Sequence, residues 1–104
     1  MIRVTILYPH ADGTRFDLSY YTRRHMPLVA ERLKSFGLTG TEVERGINAS
    51  IAGTPPPFHC IGHLLFGNPE QYQAGMKAHG KELAADIVNF TNAKPIIQVS
   101  EILG

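Results

Sequence analysis

The chain has 104 residues, 43% hydrophobic and 18% charged, enough for one domain with a packed core and too apolar for a disordered segment. Ten Lys and Arg oppose nine Asp and Glu, a net charge of +1, and no basic run is present; this argues against a nucleic-acid binder that relies on phosphate neutralisation. The lone cysteine, Cys60, rules out an intrachain disulfide framework and a four-cysteine metal site, and no apolar run approaches the roughly 20 residues needed to span a bilayer.

The first expected element is a strand from Ile2 to Tyr8, with Ile2, Val4, Ile6 and Tyr8 on one face and Arg3, Thr5 and Leu7 on the other. Pro9 ends it, and Asp12-Gly13 marks a turn. Asp17 is suited to cap a helix running to about Phe36, with Gly37 at the left-handed C-cap. A second strand of weak alternation is expected over Glu42 to Ile51. Pro55, Pro56 and Pro57 follow and cannot continue a central strand, because they supply no N–H groups. The third strand is Phe58 to Phe66. Asn68 caps the next helix, Pro69 suits its first position and Gln71 stands at the capping-box position. The pattern predicts an interruption near His79-Gly80 and a second helical piece from Lys81 to about Phe90. Pro95 precedes the last strand, Ile96 to Ile102.

The order β-α-β-β-α-β predicts a single α+β domain over residues 1–104, ferredoxin-like, with a four-stranded antiparallel sheet and helices on one face. The strands keep apolar residues on both faces, and such a sheet needs a second cover. The simplest is the same sheet from a second chain, so the expected partner is a homodimer made through sheet faces. The low charge content fits that expectation. With no leader-like N-terminus and no spanning run, a cytoplasmic location is expected.

His25 is the leading candidate for chemistry. It falls within the apolar stripe of Leu18, Tyr21, Leu28, Val29 and Phe36, while Tyr20, Arg24 and Glu31 fall on the opposite side. An inward imidazole with a pKa near neutrality suits proton transfer to or from a small molecule; a core histidine bonded to a backbone carbonyl fits the same position. Pro27, two residues on, removes a helical hydrogen bond and predicts a kink that would fix the placement of His25. Tyr8 and Tyr21 are candidate donors to a substrate carbonyl, or aromatic walls. Asp86 could orient His25 or serve as a surface carboxylate. With Asn89, His63 and Phe66 it completes the candidate substrate-binding set. His59, Cys60 and His63 resemble a metal cluster only in the written sequence: on a strand the two histidines share a face about 13 Å apart and Cys60 faces away. No metal site is expected. The chain lacks a GxGxxG, a Walker loop and a GxSxG elbow, so no nucleotide cofactor is expected either.

Phe16, Asp17, Tyr20, Tyr21, His25, Pro27 and Leu28 fit the pattern Phe-Asp-x-x-Tyr-Tyr-x-x-x-His-x-Pro-Leu. The segment Asp86 to Ile102 fits an Asp-x-x-Asn-Tyr-Thr…Pro…Gln ending, with Phe90 in place of the tyrosine. Over nearly its whole length the chain resembles EthD-domain proteins. The resemblance implies a dimeric α/β-barrel and marks His25 as the functional position. It also implies a range of activities: cofactor-independent isomerases and cyclases, and monooxygenases, hence oxidoreductases, acting on small apolar or aromatic compounds. A noncatalytic small-molecule-binding or accessory protein, and a haem-binding relative, are the alternatives.

Overall fold

In a computed structural model that describes residues 1–104, the apolar alternation of the first strand becomes the floor of the core. β1 (Ile2–Pro9) turns Ile2, Val4 and Tyr8 inward, and β3 (Phe58–Phe66) does the same with Cys60, Leu64 and Phe66. The two strands pair antiparallel with Val4 opposite Leu64 and Tyr8 opposite Cys60, so both buried rows share one face. β2 (Gly40–Arg45) and β4 (Ile96–Glu101) flank them in the order β2-β3-β1-β4. The β-α-β-β-α-β order and the four-stranded antiparallel sheet are as expected. The barrel is not. β2 and β4 are free edges, and the sheet is open rather than closed on itself.

The first helix, α1, is continuous but not uniform. A short α-helical turn, Leu18–Tyr20, leads into a π-helical turn, Tyr21–His25. An α-helical segment, Met26–Leu33, and a 3₁₀ turn, Lys34–Phe36, complete it. Asp17 is the N-cap, its carboxylate accepting from Tyr20 N–H at 3.0 Å. Gly37 closes the helix at φ 92°, a left-handed conformation that glycine adopts without steric cost. The kink expected at Pro27 takes the form of the π turn. Proline offers no N–H to the preceding turn, and the wider turn, closed by Met26 N–H to Tyr21 C=O, absorbs the mismatch.

Two elements depart from expectation by more than a residue or two at their ends. β2 ends at Arg45, not Ile51: Gly46 N–H still reaches His59 C=O at 2.9 Å, but Ile47 and Ile51 are 79% and 72% exposed. The second helix, α2 (Pro69–Ala85), runs unbroken through His79 and Gly80. Gly80 costs helix stability without ending a helix that packs on α1, where Gly75 lets Leu33 come close. Asn68 caps α2, and the Gln71 side chain accepts from Gly67 N–H at 2.8 Å. A 3₁₀ turn, Ile87–Asn89, follows.

Both helices lie on the face of Val4, Tyr8, Leu64 and Phe66 and bury Met26, Val29, Leu33 and Leu83 against it. The other sheet face holds half-buried Leu7, Ile61 and Leu65 beside Arg3, Glu42, Glu44 and His63. No helix is long and apolar enough to cross a membrane.

Candidate functional site

The start of α1 and the segment after α2 are far apart in sequence and laced together in space. Asp17 N–H donates to Phe90 C=O at 2.7 Å, and Phe16 bridges to Thr91. The Thr91 hydroxyl donates to Arg15 C=O at 2.6 Å, and Arg15 N–H to the Asn92 side chain at 2.9 Å. This stitching brings Asp86 against the first turns of α1.

His25 points inward and is 5% exposed. Its Nδ1 lies 2.9 Å from Asp86 Oδ2. Asp86 Oδ1 accepts from the Tyr20 hydroxyl at 2.7 Å and from Asn89 Nδ2 at 2.9 Å. Burial opposes ionisation of Asp86, but these hydrogen bonds outweigh it and hold the carboxyl below its ordinary value. An ionised carboxylate only accepts, so the His25 proton sits on Nδ1. Burial lowers the His25 pKa from its usual 6.5, and the Asp86 hydrogen bond and charge offset this only in part. The ring is therefore neutral at pH 7, with Nε2 carrying a lone pair.

Tyr21 stacks on His25 at 5.5 Å and 18°, and Phe90 closes on the ring at 4.6 Å. Tyr21 and His25 open and close the π turn, four residues apart and one a turn above the other. His25 also borders an apolar cavity of about 110 Å³ between the helices and the sheet. Val29, Leu83 and Ile87 wall its helix side; Ile6, Tyr8 and Ile97 wall its sheet side. Ile97 is 53% exposed, so the cavity opens towards the β4 edge.

The other expected site residues divide. Tyr8 lines the cavity with its ring edge-on to Tyr21 at 5.4 Å, and burial raises its pKa. Tyr21 is fully buried with an unpartnered hydroxyl, outside the cavity wall. Asn89 holds Asp86 rather than facing the cavity. Phe66 packs against Tyr72 at 5.7 Å, in the core but not on the cavity wall. His63 lies on the opposite sheet face, 3.4 Å from the Thr5 hydroxyl and 3.2 Å from Glu44, with the sheet between it and His25. Tyr20 is the residue that sequence reasoning missed. A regular wheel turns it away from His25, but its hydroxyl reaches Asp86 because the chain after α2 folds back beside it. Arg32 forms a bidentate pair with Glu82 of α2.

Residues 14–94 match the EthD domain. The chain belongs to the EthD family. It is 35% identical to an uncharacterised 11.0 kDa protein from the thcB–thcC intergenic region of Rhodococcus erythropolis, over 88% of this chain and 85% of that protein. It is 38% identical to an EthD-like protein from Ralstonia eutropha JMP134, with a TM-score of 0.93 over 99% of this chain and 92% of that one. Dimeric ferredoxin-like proteins recur among the structures with the same fold. One, from an uncultured marine organism, is 14% identical with a TM-score of 0.65, over 100% of this chain and 96% of that one. The oxidoreductase expectation is corrected here: the match is to the EthD domain, and the Ralstonia protein is described only as EthD-like.

Proposed function

We propose that this EthD-family chain acts as one domain and moves a proton on a small, largely apolar carbonyl compound without a cofactor, with His25 as general base. The observation that carries this is the His25 imidazole bordering an apolar cavity, its Nδ1 committed to Asp86. Nε2 takes a proton from the carbon next to the carbonyl, and the Tyr8 hydroxyl donates to the carbonyl oxygen as charge builds there. Return of that proton to another carbon is an isomerisation; attack of the enolate on a second carbonyl of the same molecule, with the proton on Nε2 passing to the alkoxide that forms, is a cyclisation. Tyr21 and Asp86 orient the imidazole, and Tyr20 and Asn89 keep Asp86 ionised. A cavity of about 110 Å³ compares with the roughly 150 Å³ apolar void that takes up benzene, so the reacting end of the ligand is no larger than one ring.

The test is exchange of solvent deuterium into cyclohexanone and acetophenone, followed by NMR. The wild-type chain should speed exchange, and His25→Asn should remove about 10²- to 10⁴-fold of that rate. Ligand retention without exchange would turn the reading to a binding or accessory protein.

The same reading takes the chain as a homodimer through the uncovered sheet face. Leu7, Ile61 and Leu65 lie there, and Arg3 Nε is buried without a partner from its own chain. A second sheet would cover the leucines and supply acceptors.

A further inference from the structure

A second pocket lies beside Phe16, and His25 is not among the residues that line it. The ladder between β1 and β3 slips at its end: Tyr8 faces Cys60 but Pro9 faces Phe58, leaving His59 as the extra residue of a β-bulge. Bulges re-aim side chains. Here His59 is turned onto the 10–17 loop, with its ring 4.5 Å from that of His10 and stacked at 6.1 Å on Phe16. Its Nε2 lies 2.8 Å from the Thr14 hydroxyl. That hydroxyl has one proton, and it goes to Ala11 C=O at 2.6 Å, so Thr14 accepts from His59 and Nε2 carries a hydrogen. The atom of His59 left to gain a proton is Nδ1.

Arg45, at the end of β2, borders the same half-open pocket of about 270 Å³ and pairs with no carboxylate of the chain. The chain can approach so closely here because residue 46 is glycine: a Cβ on it would strike Phe58 C=O and Pro56. The charged and titratable groups of the pocket are His10, His59 and Arg45; Phe16, Leu18 and Pro56 supply its apolar surface. Glu44, next to Arg45, faces the other side of the sheet and holds His63.

We infer that this pocket binds a small carboxylate carrying a flat apolar group. The Arg45 fork meets the two carboxylate oxygens. His59 takes up a proton on Nδ1 and donates it to the anion, and the apolar group lies between Phe16 and Pro56. Neutral His59 is favoured in the empty pocket by burial and by the neighbouring His10, so binding draws in a proton and tightens as pH falls towards 6.

The test is an NMR titration of the full chain at pH 6 with benzoate, acetate and inorganic phosphate, against sodium chloride at equal ionic strength. Benzoate should move the His10, His59 and Arg45 side-chain signals saturably, at least tenfold tighter than acetate. The exposed change Arg45→Gln should weaken it at least tenfold while leaving the His25 signals in place. No saturable shift with benzoate, shifts that chloride reproduces, or shifts unchanged in Arg45→Gln would overturn the site. Binding of phosphate alone would overturn its assignment to a carboxylate.

Discussion

The Tyr21 hydroxyl stands over the backbone of Gly62. A Cβ at position 62 would collide with that oxygen, which is itself buried and makes no hydrogen bond. A glycine in the middle of a central strand weakens the strand, and here it makes room for the tyrosine that stacks on His25.

Gly62→Ala should therefore destabilise the chain by about 1–3 kcal/mol, the usual cost of overpacking. Tyr21→Phe removes only an unpartnered hydroxyl and should be close to neutral. The double variant should recover most of the loss. Urea unfolding of the four proteins measures the coupling, and additive losses would show that the two positions do not meet.

Asp86 raises the pKa of His25, and burial lowers it more. Asp86→Asn removes the raising contributions and leaves the burial, so the His25 pKa should fall below its wild-type value. Histidine NMR titration reads this directly. In the proposed reaction, the acid limb of the rate profile should move to lower pH in the variant, with a reduced rate because the ring loses its fixed tautomer.

His25 also links stability to pH. Its folded pKa lies below the ordinary 6.5, so between those values the unfolded chain binds more protons than the folded one. The contribution is complete above pH 6.5 and is lost as pH falls through the folded pKa. His59 is shifted in the same direction and adds to the slope. Urea midpoints from pH 7.5 to 5 should decline, and His25→Asn should flatten part of that decline, leaving the share of His59.

Leu65 lies half-buried on the uncovered sheet face beside Arg3 and Glu42. Leu65→Arg should change the solution mass from twice the 11.5 kDa chain to a single chain, read by light scattering, with the far-UV circular dichroism unchanged. A wild-type monomer at all concentrations would remove the dimer from the proposal.

Alternation in Ile2 to Tyr8 and Phe58 to Phe66, and the caps Asp17, Gly37 and Asn68, were legible because each depends on neighbours a few residues away. The inward direction of His25 was legible for the same reason. The end of β2 was not, because strand length depends on a partner's register and Ile47 and Ile51 have no local signal that they leave the sheet. Nor was the unbroken course of α2 through Gly80, since packing against α1 outweighs one glycine's propensity.

The linear chain by itself determined the order of elements, the buried rows of β1 and β3, and a histidine on the inner stripe of a helix disturbed by Pro27. Tertiary structure decided what surrounds that histidine. Asp86 and Tyr20 meet only because residues 13–17 and 90–92 are tied across the fold, and His63 is parted from them by a sheet whose two faces alternate with every residue. Charge, tautomer and access depend on neighbours brought from 60 or more positions away, as in the His25–Asp86 pair, and no local pattern encodes them.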